Sequence, residues 1–187
     1  MSLGGKPLQI ETPEDAIRHG IFLVPEDRRV AGLVVDFSIR ENVSLPALGR
    51  YARHGLVSET DERRAVAAVC GQLQVRAQSM EVKAATLSGG NQQKVVLAKW
   101  LALGPRVLVI DEPTRGIDVG AKAEIYRLLR RLTHDGVSIL MISSDMEEIL
   151  QISDRVAVMH EGRLTGIVAR ADCTEQLIMT LAVGQQP

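Results

Sequence analysis

Two runs decide how this sequence is read: Leu87-Ser88-Gly89-Gly90-Asn91-Gln92-Gln93-Lys94 and, across one helix and Gly104-Pro105, Val107-Leu108-Val109-Ile110-Asp111-Glu112-Pro113-Thr114. The first opens a helix. Ser88 is of the capping type, Gly89 and Gly90 let the backbone approach a ligand closely, and the helix start aims free N–H groups at an anion. Lys94 stands one turn further in. The second run is an apolar strand ending in two acids, which places both carboxylates at the carboxyl edge of a sheet, where parallel sheets bind ligands. Asp111 can hold Mg²⁺, and Glu112 can orient or deprotonate an attacking water. Alone, the acids read more readily as a solvated strand end, and the glycines equally as a plain helix entry. In this order and at this spacing, they point to phosphate chemistry.

Outward from these runs, strands and helices alternate. Thr12 caps a helix whose first residue is Pro13, and Ile21–Val24 follows as a short buried strand. The spacing predicts a helix over 88–103, then the strand 107–110, then a helix whose core stripe is Ile125, Leu128, Leu129 and Leu132, ended by Gly136. Strands are expected at 138–143 and 156–159, with a short helix over 145–152 between them. Such alternation implies an α/β chain with a mostly parallel sheet covered by helices. Residues 37–86 differ: Val66, Val69, Cys70 and Leu73 recur at helical spacing behind Asp61 and Glu62, and no strand pattern interrupts them. They read as a helical insert. Met1–Gly5 has no periodicity and is set aside from the fold.

Composition bounds the function. With 187 residues, 45% hydrophobic and 24% charged, the chain can bury a core. No apolar run approaches the ~18 residues of a membrane helix. The net charge of −1 makes no case for nucleic acid. Cys70 and Cys173 are too few and too far apart for a disulfide framework. His19, His54, His134 and His160 lack metal-ligand spacing. Arg127, Arg130 and Arg131 read as a solvated helix face, and Trp100, Met141, Met146 and Met159 as core.

Together with "VPEDRR", "SIRENVSLP", "DEPTRGIDVGAKAEIY", "ISSDMEEIL" and "SDRVAVMHEGRL", the two runs resemble the ATP-binding cassette (ABC) ATPases over residues 6–184. The resemblance is nearest to the second cassette of the tandem ATPases that drive bacterial monosaccharide import, the ribose type foremost. It implies a P-loop NTPase-like (RecA-like) core from 1–36 and 87–187, with 37–86 as the helical subdomain that meets a transmembrane permease. It also implies ATP and Mg²⁺ in the intact protein, a paired cassette, an indirect link to a periplasmic sugar-binding protein, and a place at the cytoplasmic face of the membrane. Ser88, Gly89, Gly90 and Gln92 match the signature, which contacts the γ-phosphate held by the opposing cassette. Asp111 matches the magnesium-site acid of Walker B, Glu112 the catalytic carboxylate, and Asp118 the loop linking two cassettes.

The sequence departs from the family pattern in three places. Glu26 stands where cassettes usually carry the Gln of the Q-loop, and an ionised Glu cannot donate a hydrogen bond. Ser144 stands in place of the switch His and cannot carry a proton as an imidazole does. This cassette's own site is therefore expected to hydrolyse weakly or differently. No Gly-x-x-x-x-Gly-Lys-Ser/Thr run occurs, and Gly4-Gly5-Lys6-Pro7 only echoes one. The expectation is that the phosphate cradle precedes residue 1. The chain alone would then bind little ATP and expose strand edges and apolar faces. Two other readings are carried: a module that only donates its signature in trans, and a non-transport ABC ATPase serving DNA repair or translation, which the compact insert and near-neutral charge disfavour.

Overall fold

A computed structural model describes residues 1–53 and 55–185, so His54 lies outside the described residues. The chain divides into two compact units, Met1–Ile142 and Ser143 onward.

In the first unit, β1 (Ser2–Leu3) and β2 (Lys6–Pro7) form an antiparallel hairpin around Gly4 and Gly5, both at positive φ. The opening set aside above is thus structured, because two glycines in the left-handed region make a tight hairpin turn whose two-residue strands show no alternation. Helix α1 (Pro13–Arg18) starts on a capping box in which Thr12 and Asp15 exchange hydrogen bonds. Strand β3 (Ile21–Val24) leads through Pro25-Glu26-Asp27 into a π-helical turn (Arg28–Gly32), started by the Asp27 side chain accepting from the N–H groups of Arg29 and Val30.

The insert holds α2 (Ile39–Ser44), a 3₁₀ turn, α3 (Leu48–Tyr51), the two-residue strands β4 (Ala52–Arg53) and β5 (Leu56–Val57), and α4 (Glu59–Gln72). The β4–β5 hairpin corrects the all-helical expectation; strands this short leave no periodic signal. Two buried polar centres organise the insert. Asn42 accepts from the Val34 N–H and donates to the Val34, Phe37 and Ser38 carbonyls. Glu62 of α4 accepts from Ser44 Oγ at 2.5 Å and Arg40 Nη1 at 2.7 Å.

Helix α5 (Gly89–Leu101) runs through the middle of this unit, with Gln92–Ala98 buried without interruption. Strand β6 (Val107–Asp111), helix α6 (Val119–His134) and strand β7 (Ser138–Ile142) follow. The sheet is parallel, in the order β3-β6-β7, with Leu23 opposite Val109 and Val109 opposite Leu140. One face carries Phe22, Val24, Leu108 and Ile110 into the core, where Phe22 stacks on Trp100 of α5 at 5.2 Å between centroids. On the other face Leu23 is 54% exposed, Leu140 58% and Ile142 47%. Among the described residues β7 pairs with β6 alone.

The second unit comprises α7 (Met146–Ile152), β8 (Arg155–His160), β9 (Arg163–Ala169) and α8 (Glu175–Ala182). Here β8 does not extend the parallel sheet; it pairs antiparallel with β9 across Glu161 and Gly162, both at positive φ. The tight turn makes the next strand a nearer partner than any distant one. Val158, Val168, Ile178 and Leu181 form its core. Met159 points outward, against the expectation of a core side chain, because the period of β8 puts Val158 inside.

Candidate functional site

Parallel pairing of β3 with β6 aligns their carboxyl ends, so Glu26 and Asp111-Glu112 leave adjacent strands at one edge of the sheet. Asp111 closes β6 opposite Ile142. Glu112 takes φ +45°, a left-handed conformation that costs a non-glycine residue of order 1 kcal/mol, and its N–H donates to the Ile142 carbonyl at 2.9 Å. The segment then turns through Gly116, at φ +65°, to Asp118. Asp118 caps α6 by accepting from the Ala121 N–H at 2.9 Å.

The start of α5 lies against this segment. A Cβ on Gly89 would sit 2.7 Å from Arg28 Nη2 and 2.9 Å from the Gly116 carbonyl, and one on Gly90 would sit 2.7 Å from Ala121 Cβ. Both glycines are thus required by packing within the chain, besides any approach of a ligand. Ser88 occupies the cap position, yet its hydroxyl makes no capping bond. It accepts instead from Asn91 Nδ2 at 3.1 Å, and the first turn of α5 lacks a side-chain cap. Gln92 is only 4% exposed, and both ends of its amide are engaged, donating to the Ala84 carbonyl and accepting from Arg28.

Lys94 does not face the helix start. Its side chain is 4% exposed, and Nζ donates to Glu124 Oε2 of α6 at 2.7 Å and to the Gln74 carbonyl at 3.1 Å. That hydrogen bond, helped by the charges of Lys94, Arg76 and Arg127, holds the Glu124 carboxyl below its ordinary value. Lys94 lies one turn into the helix on the face that meets α6, so geometry assigns it to packing.

Glu26 is ion-paired with Arg115. Ser144 lies at the start of the second unit, exposed between β7 and α7, where Asp145 caps α7 by accepting from the Glu148 N–H. The structure therefore brings together Glu26, Ser88, Gly89, Gly90, Gln92 and the Asp111–Asp118 segment within the first unit. Sequence reasoning missed Arg28 and Arg115. The only signal for Arg28 was the dense charge of Glu26-Asp27-Arg28-Arg29 just after a strand, and Arg115 had none. Burial lowers the Arg28 guanidinium from its ordinary value, against the pull of Asp27.

A model of the ABC transporter family matches residues 1–115. The chain belongs to the ABC transporter family. It is 54% identical over 185 residues to the ribose import ATP-binding protein RbsA 1 of Streptomyces coelicolor, covering 99% of this chain and 37% of that one. It is 50% identical over 184 residues to the ribose import ATP-binding protein RbsA of Chromobacterium violaceum, with 98% and 37% covered. The cassette spans little more than a third of the length of these curated relatives. Among solved structures, a dimeric post-hydrolysis state of the ATP-binding cassette MJ0796 bound to ADP and Pi superposes with a TM-score of 0.72 at 23% identity, over 86% of this chain and 68% of that one. The fold is that of an ABC cassette, an α/β P-loop NTPase fold.

The donors present fit a magnesium ion of the kind that takes one or two carboxylates and leaves its other positions to phosphate and water. Asp111, half-buried at the end of β6, is such a carboxylate. Among the described residues no group of three or more His, Cys, Asp or Glu could hold a metal. No helix of the described residues is long and apolar enough to cross a membrane.

Proposed function

We propose that this cassette is part of an ATPase that couples ATP hydrolysis to import of ribose or a similar monosaccharide. It would work at the cytoplasmic face of a membrane with a second cassette and permease subunits, and a periplasmic binding protein would supply the sugar. The observation that carries the phosphate chemistry is the uncapped, glycine-led start of α5 held beside the carboxyl edge of β6. The similarity to ribose import proteins supports the sugar class.

In this reading Ser88, Gly89 and Gly90 present a hydroxyl and the first N–H groups of α5 to the γ-phosphate of a nucleotide cradled by the opposing cassette. Asp111 would hold Mg²⁺, which neutralises charge developing on the transferred phosphoryl group. Glu112, fixed by its strained backbone, would orient and deprotonate the attacking water. Glu26 and Ser144, standing where cassettes usually have Gln and His, support weak or altered hydrolysis at this cassette's own nucleotide site. Residues 1–187 contain no phosphate cradle of the Gly-x-x-x-x-Gly-Lys type, so taken alone they would bind ATP weakly. The test uses the intact importer. Ser88→Ala and Gly89→Asp are expected to lower ATP turnover at the site facing this signature, whereas transport at the wild-type rate in both variants would refute the assignment.

A further inference from the structure

Arg28 has no role in the reading above, yet it touches both the 115–116 turn and the start of α5. Its Nη1 donates to the Arg115 carbonyl at 2.8 Å and Nη2 to the Gly116 carbonyl at 3.2 Å. Its Nε approaches Gln92 Oε1 at 3.4 Å, and Nη2 lies where a side chain on Gly89 would begin. All three acceptors are neutral. A guanidinium usually seeks a carboxylate; this one spends its planar fork on two successive backbone carbonyls at a left-handed turn, so it fixes position more than it balances charge. Two residues earlier, Glu26 holds the Arg115 side chain. Residues 26–28 therefore grip the 115–116 turn by side chain and backbone together. That turn is tied back to the acids, since the Arg115 N–H donates to the Glu112 carbonyl at 3.2 Å.

We propose that Arg28 is a positioning residue: it locks the start of α5, Ser88–Gly90, to the Glu112–Asp118 segment, so that the signature turn and the strand-end carboxylates hold one geometry. The proposal rests on the reading that Ser88–Gly90 meet a nucleotide phosphate, because only then does the lock matter to turnover. Arginine is needed because its planar fork spreads donors over three nitrogens, whereas all the donors of a lysine radiate from one atom, which cannot stand within reach of both carbonyls and Gln92 at once.

Arg28→Lys and Arg28→Met, made in the intact ATPase assembled with its permease, test the idea by steady-state Mg-ATP hydrolysis, thermal unfolding and amide hydrogen exchange. With the lock released, kcat is expected to fall by about 10²-fold, the size associated with ångström-scale misplacement. KM for ATP should stay within about twofold, since neither variant removes a group that touches substrate. Lysine should fail to rescue, and exchange at 89–92 and 115–118 should quicken together in both variants at 25 °C, well below their unfolding transitions. Wild-type kcat in Arg28→Lys would overturn the proposal, as would exchange that quickens at neither segment or at only one. If the wild-type assembly does not hydrolyse Mg-ATP, the underlying reading fails. The exchange measurement needs no nucleotide and still decides whether Arg28 couples the two segments. Should Arg28→Met not fold, Arg28→Lys, which keeps the charge and the aliphatic stem, carries the same outcomes.

Discussion

Glu112 pays for its place with a left-handed backbone at φ +45°, next to a proline and directly after a strand. The strain is tolerable because the Ile142 carbonyl accepts its N–H and the buried Pro113 and Thr114 anchor the chain just beyond it. Its backbone is thus held independently of its carboxylate. Glu112→Gln keeps the side-chain length and both backbone anchors and removes the base. Phosphate-release assays on the intact ATPase should show hydrolysis falling about 10²–10⁴-fold, the range for a general base. Scanning calorimetry should show little change in the unfolding temperature. The pair Glu26 and Arg115 shows what residue type alone cannot say: an acid just past the carboxyl end of β3 is held by a cation 89 positions away in sequence, a partner no local pattern could name.

At the scale of elements, α5 and α6 approach closely enough that Gly90 has no room for a methyl group, with Ala121 Cβ 2.7 Å from where it would stand. Two effects compete in Gly90→Ala. Helix propensity gains about 1 kcal/mol, while forcing a methyl group into a filled interface costs about 1–3 kcal/mol. The clash is between two short side chains that cannot swing aside, so the cost should win. Urea denaturation should place Gly90→Ala below wild type. Ala121→Gly added to it should recover part of the loss, giving a non-additive pair. The strand elements follow the same logic of neighbours: β8 turned back onto β9 because a two-residue turn at positive φ offered it a partner at once.

For the first unit as a whole, Glu124 is a tie between the insert and α6. It meets Lys94 of α5 at 2.7 Å and Arg76, from the loop after α4, at 2.9 Å. Its folded-state pKa lies below its ordinary value, so the unfolded chain takes up the proton first as pH falls. The stabilisation is therefore complete above the unfolded value of about 4.3 and is lost as pH drops through the lower, folded one. Chemical denaturation at pH 7 should find Glu124→Gln clearly less stable, since Lys94 would remain buried without its counter-charge. The gap to wild type should close toward pH 3. A constant gap across that range would remove Glu124 from the acid response.

Local chemistry was enough to place most elements. Apolar runs marked β3, β6 and β7, helical spacing marked α4 and α6, and the capping-type residues Thr12 and Ser88 marked helix starts, because each signal lies within one or two turns of chain. The signature and the Asp111-Glu112 strand end were legible for the same reason: their chemistry is carried by consecutive residues. Short hairpins such as β1–β2 and β4–β5 were not, since two residues hold no period. Nor was the direction of Lys94, the engagement of Gln92, or the grip of Glu26 and Arg28 on Arg115 and Gly116. Those depend on which side chains meet across tens of residues, and packing α5 against α6 and against the turn after β3 decided them. Sequence by itself determined which groups have the chemistry to handle a phosphate; the tertiary structure decided which of them are engaged in holding their neighbours in place, because those contacts join residues far apart in the chain.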